Sequence, residues 1–356
     1  MPKLDSPLQL SPVFKPKIWG RDNLRPIFTR PRSSTPASKT DNELIGEVWI
    51  TDDQSQFMNG PIAGMTLAQA SEKFGPELNG ENWKDGRFPL LAKYIYTSDW
   101  LSVQVHPDDK QAARFDRGNR GKCEMWYIVS SGRKGELLLG VKPGVSADKL
   151  RTSFEHGKSR QQLNRFRPKG GEAIFIPPGT VHALGPDLVL FEVEENSDLT
   201  YRLDDFGRMG LDGKPRPLHL DKGMSVARLG LPALRDLPIV KVSEPYGSRR
   251  FVVACGFFAL EELVLIKRGT FRGRPEAVEV LSVLEGDGRV ETAEGWLGYH
   301  SGDTWLIPPA TENYRLVPRE KTRVLKFYVP DIDRDFRRPL QKRGGRASKI
   351  ARIVFD

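Results

Sequence analysis

The sequence is poor in the features that mark several functional classes. Only two cysteines, Cys123 and Cys255, occur in 356 residues, too few for a disulfide framework and in keeping with a reducing cytoplasm. No stretch approaches the roughly 18 to 20 continuous apolar residues of a membrane span. The start, Met1-Pro2-Lys3-Leu4-Asp5-Ser6, lacks the apolar block of a signal peptide. A cytoplasmic protein with no membrane partner is therefore expected. Long amphipathic helical patterns are scarce. No glycine loop stands in a strand-to-helix setting, and Gly286-Asp287-Gly288 reads as a hairpin turn rather than a phosphate cradle. Charge is plentiful: 55 Lys+Arg against 46 Asp+Glu leave a net +9. That excess raises nucleic acid or another polyanion as a partner, but net charge alone discriminates poorly. With 38% hydrophobic residues, wholesale disorder is excluded, and the length suits one large or two modest domains.

Short runs rich in Val, Ile, Leu, Phe, Tyr and Trp alternate with Gly/Pro/Asp/Asn turns, the pattern of a sandwich or barrel. Strands are expected at Leu44–Ile50, Leu101–His106, Glu124–Ser130, Glu172–Ile176, Val189–Glu194, Val278–Leu284 and Asp303–Ile307. Helices are expected at Thr66–Phe74, with Thr66 as N-cap, and at Ala147–Glu155. Arg30–Asp41 reads as a mobile surface loop. One internal echo stands out: Gly171-Glu172-Ala173-Ile174-Phe175-Ile176-Pro177-Pro178-Gly179 resembles Gly302-Asp303-Thr304-Trp305-Leu306-Ile307-Pro308-Pro309-Ala310. Two related small barrels would explain it, with a boundary around Asp212–Pro238, although an acidic turn, a strand and a proline are common in β proteins.

Histidine is also scarce, at five residues. In Leu101–Pro107, strand alternation puts Ser102, Gln104 and His106 on one face and Val103 and Val105 on the other. A hydroxyl, an amide and an imidazole projecting together suit a site better than an apolar core. Glu124 opens another strand, and His182 follows the Ile176–Val181 turn. Gln104, His106, Glu124 and His182 form a plausible donor set for a borderline metal. Zinc would serve as a Lewis acid, whereas iron on two histidines and a carboxylate would suit an oxygenase. Taken singly, His106 reads more readily as a turn or capping residue than as a ligand, and Glu124 as a solvated strand residue. Glu192 and Glu194 share a strand face opposite Phe191 and Val193, and Arg202 and Arg208 follow, suited to an anionic group. A solvated acidic edge with exposed arginines would give the same pattern.

Taken together, these segments resemble type I mannose-6-phosphate isomerases of the short bacterial form. The motifs are Pro89-Leu90-Leu91-Ala92-Lys93, Leu101–Asp109, Gly121-Lys122-Cys123-Glu124-Met125-Trp126-Tyr127, Ile176–Ala183 and Asn196-Ser197-Asp198 through Tyr201-Arg202. Lys17-Ile18-Trp19-Gly20 and Gly46-Glu47-Val48-Trp49 are similar to the family's N-terminal blocks. The likeness is dense from Phe14 to Arg208 and thin afterwards.

The resemblance implies a mainly β fold of two cupin, jelly-roll-like barrels with a few short helices. It implies a catalytic zinc-binding domain at 1–212 and a second cupin domain at 235–330, which should be metal-free because its turn Ile307-Pro308-Pro309-Ala310-Thr311-Glu312 offers no equivalent of His182; 331–356 reads from its composition as a basic tail. One Zn2+ per chain would be held by Gln104, His106, Glu124 and His182. Arg202, Lys122 and Glu192 would be catalytic, and Ser102, Lys93 and Arg208 would bind a small phosphosugar. The implied reaction interconverts mannose 6-phosphate and fructose 6-phosphate through a cis-enediol. The alternatives are a non-catalytic cupin that holds a sugar phosphate or polyanion, and a metal oxygenase. Cys123 takes the alternate strand position and should face away from the metal. Residues 333–352 carry eight Lys or Arg against Asp333 and Asp335 and read as a solvated, flexible end, with no nucleic-acid partner expected.

Overall fold

The structure, a computed structural model, describes residues 2–29, 43–81, 83 and 86–355. The expected loop Arg30–Asp41 lies outside these residues. The described chain is mainly β, with four antiparallel sheets packed as successive layers. The expected strands form with small shifts at their ends: Ile45–Trp49, Val103–Val105, Glu124–Ser131, Ala173–Ile176, Leu188–Glu195, Glu279–Glu285 and Thr304–Ile307. Both expected helices form as well. Thr66 caps Leu67–Phe74 by accepting from Gln69 N at 3.2 Å, while Gln69 Oε1 accepts from Thr66 N at 3.0 Å. The helix Ala147–Glu155 is capped by Ser146.

A five-stranded sheet in the order Tyr201–Asp204, Val103–Val105, His182–Leu184, Leu137–Val141 and Leu163–Phe166 forms the first layer. Its outer face packs Val103, Val105, Leu138 and Val141 against Leu150 and Phe154 of the Ala147–Glu155 helix and Val226 of the Leu220–Val226 helix. That burial fixes the register: a one-residue slip would turn the valines to the inside and Gln104 to the outside. The inner face packs Leu137, Leu139 and Leu184 against Ile95, Trp126, Ile128, Ile174, Ile176, Leu188 and Leu190 of a six-stranded sheet.

The other face of the six-stranded sheet joins a seven-stranded sheet in the largest core. Tyr94 Oη and Ser282 Oγ meet across it at 2.7 Å, and the Phe191 and Phe327 rings are 5.4 Å apart. The seven-stranded sheet then packs Leu263, Leu281, Trp305 and Val324 against Val290, Tyr299, Tyr314 and Leu316 of a four-stranded sheet. The two echo segments pair in separate sheets, Ala173–Ile176 in the six-stranded and Thr304–Ile307 in the seven-stranded one. Leu8–Leu10, near the start of the chain, pairs with Thr304–Ile307 and so edges the seven-stranded sheet.

Two expectations are corrected. Gly286-Asp287-Gly288 is not a hairpin turn, because Glu279–Glu285 and Gly288–Thr292 belong to different sheets. The segment carries the chain from one layer to the next. Gly286 adopts φ +92°, and a Cβ there would meet Lys321 O at 2.7 Å. Nor is the basic end a solvated, flexible tail. It forms short helical segments and a β-bridge from Val354 to Ala254, and its Phe336, Leu340, Ile350, Ile353 and Val354 are buried in the main core. Phe355 stacks on Phe175 at 4.1 Å. Its charges are partly spent in ion pairs, including Arg334–Glu276 at 2.6 Å and Arg343–Glu244 at 2.7 Å. No helix of the described chain is long and apolar enough to cross a membrane.

Candidate functional site

The site lies between the five- and six-stranded sheets, where strand register collects its side chains from distant parts of the chain. In the first sheet, Gln104 pairs with His182 on one side and Arg202 on the other, so one row of the pleat delivers all three. In the facing sheet, Glu192 pairs with Lys93 and Trp126, and Glu194 pairs with Glu124. Alternation then places Lys122, Glu124 and Trp126 on the same inward face as Glu192 and Glu194.

His106, Glu124 and His182 converge in full burial, their ligand-type atoms all within 4.8 Å of one another. His106 Nδ1 lies 2.9 Å from Leu199 O, and His182 Nδ1 lies 2.8 Å from Thr180 O. Carbonyl oxygens only accept, so each Nδ1 carries the proton and each Nε2 presents a lone pair. These lone pairs face Glu124: His106 Nε2 is 3.5 Å from Oε2 and His182 Nε2 is 3.3 Å from Oε1. Burial pushes the His182 pKa down to about 4 against the pull of Glu124, so this imidazole is neutral at pH 7. For Glu124, burial works against ionisation, but with the Lys122 ammonium as the leading opposing influence its carboxyl is held well below the usual range.

Two imidazole lone pairs facing a buried carboxylate repel one another unless a cation lies between them. His106 Nε2 and both Glu124 oxygens lack a hydrogen bond, and the Lys122 ammonium, 2.9 Å from Oε2, is an ion-pair partner. Gln104 Nε2 lies 3.1 Å from His182 Nε2. Rotating that amide by half a turn brings its oxygen to the same place, giving a four-donor set of two nitrogens and two oxygens. The residues fit a metal of zinc type.

A second acidic group, Glu124 with Glu192 and Glu194, adjoins the first. Here ammonium groups already provide the neutralising charge. Lys93 Nζ lies 3.2 Å from Glu192 Oε1 and 3.1 Å from Glu194 Oε1, while Lys122 Nζ lies 2.7 Å from Glu194 Oε2. Burial opposes both ammonium charges, but the carboxylates around them outweigh it and raise both pKa values. Trp126 Nε1 donates to Glu192 Oε2 at 2.7 Å. Burial and Glu124 push the Glu192 carboxyl up, and Lys122 and Lys93 more than offset them. Burial pushes the Glu194 carboxyl well above the usual range, against the pull of Lys122 and Lys93.

A cavity of about 540 Å³ adjoins the cluster through Gln104, Lys122 and Glu192 and is also lined by Lys93, Ser102 and Arg202, while His106, Glu124 and His182 do not line it. Its rim also includes Lys17, Trp19, Glu47, Asp198, Thr200 and Arg216, which were not named as site residues from the sequence. Of the ten residues expected at the site, Arg208 alone is placed elsewhere. It is spent on Asp205, at 2.8 Å, on Asp99, at 3.3 Å, and on the Trp100 carbonyl, and it does not line the cavity. Arg216 shares Asp205 with it and reaches the cavity beside the Trp19 ring. A slightly larger cleft, about 600 Å³, lies beside Trp296 and Trp305 and is lined by none of the expected site residues.

The model for the catalytic domain of type I phosphomannose isomerase matches residues 8–142. The mannose-6-phosphate isomerase ManA of Bacillus subtilis is 32% identical over 320 residues, covering 87% of this chain and 95% of that protein. The mannose-6-phosphate isomerase of Streptococcus mutans is 30% identical over 318 residues, covering 87% and 94%. The crystal structure of the Bacillus subtilis mannose 6-phosphate isomerase aligns with a TM-score of 0.81 at 28% identity, covering 91% of this chain and 99% of that one. A zinc-bound mannose 6-phosphate isomerase shares the fold with a TM-score of 0.69 at 16% identity, over 91% and 99%.

Proposed function

The chain belongs to the type I phosphomannose isomerase family, and from that premise we propose that it interconverts mannose 6-phosphate and fructose 6-phosphate with one zinc ion. The observation that carries this reading is the buried His106–Glu124–His182 cluster beside a cavity lined by Lys93, Lys122, Glu192 and Arg202. Gln104, His106, Glu124 and His182 would hold the zinc. When bound, zinc supplies Lewis-acid polarisation of a substrate oxygen without redox chemistry.

The reaction moves a proton between C1 and C2 through a cis-enediol, and negative charge develops on the enediol oxygens. Arg202 and Lys122, both on the cavity wall, are the cations placed to stabilise that charge in a site largely shielded from water. Arg202 has capacity to spare: Nη1 donates to Pro217 O at 2.8 Å, while its buried Nε has no partner. Glu192, a carboxylate on the cavity wall beside Lys93 and Lys122, would accept and return the proton. Ser102 and Lys93 would hold substrate hydroxyls. Arg216 and Lys17, at the rim, are the cations that would take the phosphate in place of Arg208.

The same reading makes the two sheet pairs two cupin barrels. The division would run at 1–212 and 235–330, with Leu8–Leu10 lent to the second barrel and the C-terminal end packed into the main core. A non-catalytic binding module would need the cavity but not a metal cluster, two lysines and an arginine converging on one point. The test is a coupled assay for fructose 6-phosphate formation with metal-replete protein, repeated after chelation. Turnover lost on chelation and restored by zinc supports the reading, and absence of turnover in replete protein refutes it.

A further inference from the structure

Glu194 differs from the other acidic residues of the site. Its side chain is fully buried, and it is not among the residues that line the cavity. Yet its two oxygens reach two different lysines that do: Oε1 lies 3.1 Å from Lys93 Nζ and Oε2 lies 2.7 Å from Lys122 Nζ. The lysines come from opposite sides of the strand Leu188–Glu195, Lys93 from Leu90–Thr97 and Lys122 from just before Glu124–Ser131. Glu194 therefore sits behind both ammonium groups, on the side away from a bound substrate.

A lysine is a compact charge on a flexible stem and points only where its partners hold it. Lys122 has a competing partner, Glu124 Oε2 at 2.9 Å, which is also a metal-ligand candidate. Lys93 has Glu192 Oε1 at 3.2 Å. Without a carboxylate behind them, each ammonium would close onto the group that has work of its own to do. We infer that Glu194 is a positioning residue, a carboxylate clamp that fixes the Lys93 and Lys122 ammonium groups side by side at the cavity wall. It leaves Glu124 free for the metal and Glu192 free for the proton. This inference rests on the isomerase reading of the cavity.

The test compares the full-length zinc-loaded chain with Glu194→Gln, Lys122→Met and the double variant, measuring kcat, KM and zinc content with mannose 6-phosphate. Glu194→Gln should keep its zinc and lose about 10²-fold in kcat, the scale of a small misplacement of reacting groups. The double variant should be slower than Lys122→Met alone by clearly less than the factor Glu194→Gln costs in the wild-type chain, because only the Lys93 half of the clamp is left to lose. Glu194→Asp keeps the carboxyl group and should recover part of the loss. It also carries the test if the Gln variant does not fold, with a kcat at least about tenfold below wild type expected from its shorter reach. Wild-type kcat in the variant that folds, or losses that multiply in the double variant, overturns the clamp. If the wild-type chain itself shows no turnover, the isomerase reading fails instead.

Discussion

His182 Nε2 lies 3.3 Å from Glu124 Oε1, with the imidazole proton committed to the Thr180 carbonyl on the opposite side of the ring. A neutral ring thus aims its lone pair at a carboxylate inside a buried pocket. That contact is unfavourable for the protein alone and favourable once a divalent cation lies between the two groups. Removal of either histidine should therefore cost metal rather than fold. His182→Ala and His106→Ala are each expected to drop zinc from about one per chain to a small fraction of that. The metal content of purified protein checks this, and a full complement in both variants would exclude them as ligands.

Arg202 shares a sheet row with Gln104 but belongs to the substrate side. Arg202→Ala should lower kcat by about 10²- to 10³-fold, the usual loss when one donor to a developing oxyanion is removed. Zinc content should stay at the wild-type level. An unchanged kcat would remove Arg202 from the mechanism.

Arg216 and Arg208 separate position from sequence proximity. Arg216 lines the cavity and Arg208 does not, although both bind Asp205. Arg216→Ala should raise KM for mannose 6-phosphate by about tenfold, the equivalent of roughly 1.4 kcal/mol of phosphate binding. Arg208→Ala should leave KM within about twofold and show its effect in the melting temperature. The opposite pattern in steady-state kinetics would return the phosphate to Arg208.

Glu195 gives a pH dependence of stability. Burial raises its pKa from 4.5 to about 7, against the pull of the Cys123 amide it accepts from at 2.8 Å. The folded chain then binds a proton that the unfolded chain releases, so stability falls as pH rises between those two values, by about 3 kcal/mol in all. Glu195→Gln keeps the acceptor and removes the titration. The stability gap between wild type and variant should widen from pH 4.5 to 7 in denaturant melts, and a constant gap would contradict the shift.

Much of this site was readable from alternation. Val103 and Val105 had to be buried together, which turned Ser102, Gln104 and His106 inward, and the same logic oriented Glu124 and Glu192. The rim was not readable. Arg216 and Lys17 reach the cavity through long-range packing of segments that have no periodicity of their own. Pairing of Leu8–Leu10 with Thr304–Ile307 likewise leaves no local trace. The helical C-terminal end did leave a signal. Phe336 and Leu340 recur four residues apart among the basic residues, the spacing of a buried helical face. Charge density concealed it.

The most direct measurement is isomerase turnover of the metal-stripped chain titrated with zinc, with its melting temperature followed in parallel. Activity should rise from the baseline to saturation at one zinc per chain. The melting temperature should climb with it, since an ion bound only by the folded chain stabilises it. Full turnover in the stripped protein, or saturation with zinc without turnover, would contradict a zinc isomerase centred on His106, Glu124 and His182.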